Sequence, residues 1–283
     1  MDRVDVWRPF VGAEALAAGV LNRHQLRTRC CPTLPGVYLR KGIRPTLRAR
    51  THAAYLWSRR NGVVAGLAAA AFHGARWVDE ESPIELIYRS TRPPAGVVCR
   101  ADRLLVDEVM GVDGLPVTTP ARTAFDIGRR GRLDSAVAAL DALLHATGVP
   151  VAAVAAIAAR HPHVRGLRQL ETALELVDAG AESPKETWLR LLVHRDGLPP
   201  VETQIEVRVD GRLVARLDMG WPELQIALEY DGDQHQSDRD QYLRDMRRLD
   251  QLTRLGWIVV RVVKEDRPAD VLRRVREAID ARR

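Results

Sequence analysis

The chain is poor in cysteine and has no long hydrophobic run, and each shortage narrows what it can be. Its 283 residues include three cysteines, Cys30, Cys31 and Cys99. These make neither CxxC pairs nor the even-numbered framework of a disulfide-stapled domain, so structural zinc is not expected and a reducing compartment fits. The longest apolar stretches, residues 63–72 and 149–159, are alanine-rich and fall well short of the roughly 20 residues a spanning helix needs. No membrane segment is expected. The opening MDRVDVWRPF has no apolar run ahead of a small-residue cleavage site, so no secretory signal is read and a cytoplasmic location is the expectation. What remains, 46% hydrophobic and 28% charged, is the balance of a globular protein, long enough for two modest cores.

The net charge of +6 conceals an asymmetry. Residues 1–169 carry 24 Lys and Arg against 14 Asp and Glu, and residues 170–283 carry 19 against 23. Residues 1–60 alone hold 12 basic groups and three acidic ones. A polyanion is the natural partner of such a segment. Its local pattern points the same way. Residues 11–18 suggest a short helix closed by Gly19, Asn22 an N-cap for a second helix over 24–29, and residues 34–39 a strand. That is the outline of a compact winged helix-turn-helix. In it His24, Gln25, Arg27 and Arg29 project from the helix that enters the major groove, while Arg40 and Lys41 sit on the wing beside phosphates.

Residues 48–77 read as helical, 84–88 and 96–99 as strands, 119–129 as a helix begun at a Thr-Pro step, and 133–145 as an amphipathic helix with Val137, Leu140, Leu143 and Leu144 on one side. This small mixed α/β domain carries no catalytic constellation. His73, His145, His161 and His163 have no partners at ligand spacing and are read as structural or exposed. A helix over 166–177 leads onward. The expected partition is a winged-helix-like segment over 1–60, an α/β domain over 61–165, a linker helix over 166–181 and a final domain over 182–283.

The final domain holds the chemistry-bearing pattern. Ser183-Pro184 followed by Glu186 forms a capping box that opens a helix; Glu186 is either a cap alone or a group that also faces a site. Two strands, 202–209 and 213–218, flank Asp210-Gly211, the strongest short hairpin signal, and a third runs over 224–230. Alternation puts Glu229 and Asp231 on one face, where pairing with the preceding strand brings Asp218 beside them. Clustered carboxylates are costly without a cation, which argues for Mg²⁺ (or Mn²⁺) held by Asp218, Glu229 and Asp231, with His235 placed to move a proton. A helix over 238–255 follows, with Tyr242, Met246, Leu249 and Leu252 as its apolar stripe and Asp245 and Arg248 as i,i+3 neighbours, then a strand over 257–263 and a closing helix over 269–279. The expected order is α-β-β-β-α-β-α.

Two resemblances follow from these motifs. VGAEALAAGVLNRHQLRTR, LPGVYLRKG and GLPVTTPARTAFDIGRR together resemble the abortive-infection antitoxin family of type IV toxin–antitoxin systems over about residues 11–160. The likeness implies a DNA-binding winged helix joined to an α/β domain, repression of the protein's own promoter and a cognate toxin; the winged helix here is shorter than the family's. The stretch ARLDMGWPELQIALEYDGDQHQSDRDQYLRDMRRLDQLTRLGWIVVRV resembles the restriction-endonuclease-like superfamily, nearest its very-short-patch mismatch-repair branch, over residues 182–281. That likeness implies Asp218 as the metal-binding aspartate, Glu229 and Asp231 at the second-motif positions, His235 as an active-site histidine and Arg248 as organiser or phosphate contact. Asp231 stands where the superfamily has a lysine and the repair enzymes a histidine. Two readings stay open: a DNA-binding protein with a Mg²⁺-dependent endodeoxyribonuclease domain, and a non-enzymatic antitoxin-like repressor with a degenerate nuclease fold. A nuclease acting on RNA is a third.

Overall fold

The computed structural model describes residues 4–231 and 239–283, with side chains from residue 244 onward in the second stretch. The chain divides into two compact units, Met1–Glu175 and Leu176–Arg283. Both are mixed α/β, as the sequence pattern predicts.

The first unit opens with β1 (Phe10–Val11), α1 (Gly12–Ala17), α2 (Arg23–Arg29), β2 (Cys30–Leu34) and β3 (Val37–Arg40). Asn22 caps α2 as expected: its side chain accepts from the Gln25 amide, while the Gln25 side chain accepts from the Asn22 N–H. The single strand expected over 34–39 is instead part of a hairpin. Gly36, at φ 78°, takes the left-handed conformation that reverses the chain, and Leu34 pairs with Val37. The three strands form an antiparallel sheet in the order β1-β3-β2. Beneath it Phe10, Ala15, Leu26 and Cys30 form a small core.

The helix expected over 48–77 is two helices with a strand between them. α3 (Leu47–Trp57) stops before Arg59 and Arg60, both at positive φ; β4 (Val63–Ala65) then joins a sheet before α4 (Gly66–Phe72). Next come β5 (Ile84–Ile87), β6 (Val97–Arg100), β7 (Val109–Val112), β8 (Leu115–Thr118), α5 (Pro120–Gly128), α6 (Leu133–Thr147), α7 (Val151–Arg160) and α8 (Leu167–Leu176). Strand β7 has no counterpart in the sequence pattern. It is paired with β8 through Asp113-Gly114, both at positive φ, the backbone a tight hairpin requires. The sheet order is β6-β5-β4-β8-β7. The α6 stripe, Val137, Leu140, Leu143 and Leu144, is fully buried. No single described helix is long and apolar enough to cross a membrane.

The second unit contains α9 (Pro184–Arg195), β9 (Glu202–Val209), β10 (Arg212–Trp221), β11 (Ile226–Tyr230), α10 (Arg239–Arg254), β12 (Ile258–Val262) and α11 (Pro268–Asp280), the expected element order. Its sheet runs β12-β11-β10-β9. β11 and β12 are parallel, so the chain must cross over between them, and α10 is that crossover. Leu189 and Val193 of α9, Met219 and Trp221 of β10, Ile226 and Leu228 of β11, and Val271 and Val275 of α11 share one core. On α10 the apolar stripe is narrower than expected: Leu252 is buried and Leu249 half-buried, but Met246 is exposed, and the Tyr242 side chain lies outside the described residues.

Candidate functional site

The basic N-terminal residues take distinct positions. On α2, His24, Arg27 and Arg29 are exposed, and the two arginines make no side-chain ion pair among the described residues. Gln25, expected beside them, is half-buried, and its Oε1 accepts from the Asn22 N–H in the α2 cap. Arg40, expected on a phosphate, has its guanidinium 4.1 Å from the centre of the Trp7 ring; Lys41 next to it is exposed. Helix α1 is tied down by Arg60, whose two terminal nitrogens reach the Glu14 carboxylate at 2.7 Å each. That pairing holds the Glu14 carboxyl below its ordinary range.

In the second unit the predicted carboxylates are not equivalent. Glu229, 4% exposed, is gripped by both terminal nitrogens of Arg248 at 2.7 and 2.8 Å. Arg248 of α10 therefore bridges to β11, and the charge of Asp245, its i,i+3 neighbour, acts on it as well. Asp218 accepts from the Tyr230 N–H at 3.0 Å. Burial pushes its carboxyl up to about 7; the Tyr230 hydrogen bond opposes that, and the neighbouring charges of Glu186 and Glu229 add to it. Glu186 is the capping-box partner expected of it. It caps α9, accepting from the Ser183 hydroxyl and from the Glu182 N–H at 2.8 Å each, and it stands close enough to Asp218 to repel its charge. Its own carboxyl is raised, chiefly by burial. Asp231 goes elsewhere. It pairs with Arg261 of β12, and its N–H is bonded to the Val262 carbonyl. His235 lies outside the described residues.

These partners bear on the metal expected at Asp218, Glu229 and Asp231. Both oxygens of Glu229 are occupied by one guanidinium, and Asp231 is held by another. Among the described residues no group of three His, Cys, Asp or Glu is arranged to hold a metal ion.

A second polar cluster, in the first unit, escaped the sequence reading. Arg122 of α5 is 1% exposed; its Nε donates to Asp126 at 3.0 Å and its Nη1 to the Arg103 carbonyl at 2.9 Å, while a further short bond reaches Glu108. His161 Nε2 lies 2.7 Å from the other Glu108 oxygen. Burial alone pushes the Glu108 carboxyl up, but His161, the Leu105 N–H and Arg122 together bring it below its ordinary value. Arg129 extends the chain of contacts, from Asp126 at 2.9 Å to Asp102 at 2.7 Å. His161 is thus buried with two charged partners, where the sequence showed none at ligand spacing. The GLPVTTPARTAFDIGRR segment supplies four of these groups, and its place in the fold explains its composition: a Thr119-capped helix with Arg122, Asp126, Arg129 and Arg130 spaced to enter one buried network. This arrangement occupies the part of the chain for which a known family accounts.

Residues 63–150 match the model of the AbiEi antitoxin C-terminal domain. The antitoxin-like region runs from β4 to the end of α6, so it includes Glu108, Arg122 and Asp126 and stops before His161. Two uncharacterized proteins of Mycobacterium tuberculosis, from strains CDC 1551 / Oshkosh and ATCC 25618 / H37Rv, are each 32% identical to this chain over 155 residues. The similarity covers 55% of this chain and 57% of each relative, so the chain spans little more than half the length of the curated relatives it matches. No solved structure matches it.

Proposed function

We propose that this chain is a DNA-binding, antitoxin-like transcriptional regulator whose target is operator DNA near its own coding sequence. The observation that carries this reading is the match of residues 63–150 to the AbiEi antitoxin domain, directly behind a basic helix–helix–hairpin segment. In this reading α2 enters the major groove with His24, Arg27 and Arg29 toward the duplex, and Lys41 meets a phosphate. Arg40, held on Trp7, orients that ring instead of reading DNA. A cognate toxin is the second partner class of such a regulator. The C-terminal unit serves as a scaffold, with two of its carboxylates, Glu229 and Asp231, neutralised from within by Arg248 and Arg261.

The test is fluorescence anisotropy with the protein's upstream DNA between about 50 and 200 mM salt, where a protein making several phosphate contacts loses orders of magnitude in affinity. Binding is expected, and it is expected to survive Asp218→Ala. Absence of binding even at low salt sinks the reading. Incubation of the same preparation with plasmid, single-stranded DNA or RNA in Mg²⁺ or Mn²⁺ addresses the rival nuclease reading, which is favoured by the crowding of Glu186 and Glu229 around Asp218. Metal-dependent cleavage abolished by Asp218→Ala would replace the scaffold assignment.

A further inference from the structure

A cavity of ≈ 650 Å³ lies in the first unit between Trp7–Pro9, the loop after β3 and the start of α3. Its size is that of small-molecule sites, which usually run from about 300 to 1,000 Å³. Its lining includes the apolar Pro9, Leu39 and Ile43 and the cationic Arg8, Arg44 and Arg48. None of the α2 residues assigned to DNA lines it.

The positive charge in this wall is incompletely answered. Arg48 pairs with Asp113, also in the wall, and Arg8 approaches Asp5 only at 3.9 Å; Arg44 is exposed and makes no ion pair among the described residues. His52 also lines the cavity. Its imidazole pKa is lowered, first by burial and then by Arg8, with Asp113 opposing and Arg48 adding to the effect. Trp7 also lines the cavity and is 62% exposed, an unusual state for the largest apolar side chain. The Arg40 guanidinium over the ring fixes its orientation through a cation–π contact, so a planar group meets a platform that is already ordered.

We propose that this cavity binds a small anion bearing an aromatic ring, with the chemistry of a nucleoside monophosphate. The ring lies against Trp7 and the apolar lining residues, and the phosphate sits among Arg8, Arg44 and Arg48. The site is independent of the DNA-binding reading, since the residues concerned do not overlap and either reading can fail while the other stands.

Calorimetric titration of the full chain with adenosine 5′-monophosphate, adenosine and inorganic phosphate tests it, with His52 followed by NMR. Saturable binding of the nucleotide is expected with Kd at or below about 1 mM, with adenosine and phosphate each at least about tenfold weaker, because each forfeits one half of the site. The His52 pKa rises on binding, as a bound anion offsets the arginine charge. Arg44→Ala and Trp7→Ala each weaken binding about tenfold or more with the circular dichroism spectrum unchanged; neither side chain belongs to a buried core. No saturable nucleotide binding up to about 10 mM overturns the proposal, as does binding that both variants leave intact. Phosphate binding as tight as the nucleotide overturns the aromatic half of the site and with it the ligand class.

Discussion

Arg122 shows what a single residue carries in the first unit. Its guanidinium is removed from water and held by Glu108, Asp126 and a backbone carbonyl. Removing one partner of such a pair leaves the other buried and uncompensated, a loss of about 3–5 kcal/mol. Arg122→Ala is accordingly expected to lower unfolding free energy by that amount in urea titrations, and an effect below about 1 kcal/mol would mean the network behaves as a surface pair. Asp218 presents the opposite case. Its folded-state pKa of about 7 stands above the free-group value of 3.8, so between those values the native state keeps a proton that the unfolded chain has lost. Stability from this group is therefore full below the unfolded value and is lost as pH rises through about 7. Asp218→Asn, which never ionises, is expected to melt higher than the parent at pH 8 and close to it near pH 4. Equal melting differences at both pH values would contradict the assignment.

Among the elements, α2 and α8 make the sharpest predictions. If α2 meets DNA through Arg27 and Arg29, removing one arginine that neutralises a phosphate lowers the salt slope by about one, so the double alanine variant should reduce it by about two while leaving melting temperature unchanged. A slope that does not move removes α2 from the interface. The start of α8 depends on Gly166, which sits at φ 94°, and a Cβ there would lie 2.0 Å from the Arg129 carbonyl oxygen at the end of α5. Backbone cannot yield as a flexible side chain does. Gly166→Ala is expected to cost about 1–3 kcal/mol, read in the same urea titration.

At the scale of the whole molecule, the two units have separate sheets and separate apolar cores. The segment Leu176–Arg283, expressed alone, is therefore expected to unfold in one cooperative transition followed by circular dichroism. A broad, non-cooperative melt would show that its core is incomplete by itself. The charge asymmetry belongs to this scale too: the basic excess falls in the first unit, and that is where both the proposed DNA contact and the proposed anion site lie.

Local signals were legible in the sequence because they act within a few residues. Asn22, Thr119-Pro120 and Ser183-Pro184 begin helices where expected, and Asp210-Gly211 turns the β9–β10 hairpin. The α-β-β-β-α-β-α order of the second unit follows from such signals and from apolar periodicity. Strand β4 is hidden in the sequence because its three residues lie inside an apolar run that, without a partner strand, reads as helix. The site partners are hidden for a related reason. Glu108 and His161 are 53 residues apart, and Arg248 and Glu229 are 19 apart on different elements. Which carboxylate each arginine neutralises, and so whether Asp218, Glu229 and Asp231 form one centre or separate pairs, depends on how strands and helices pack. A sequence determines its caps, turns and periodicities through neighbours along the chain; the pairing of buried charges is decided by neighbours in space.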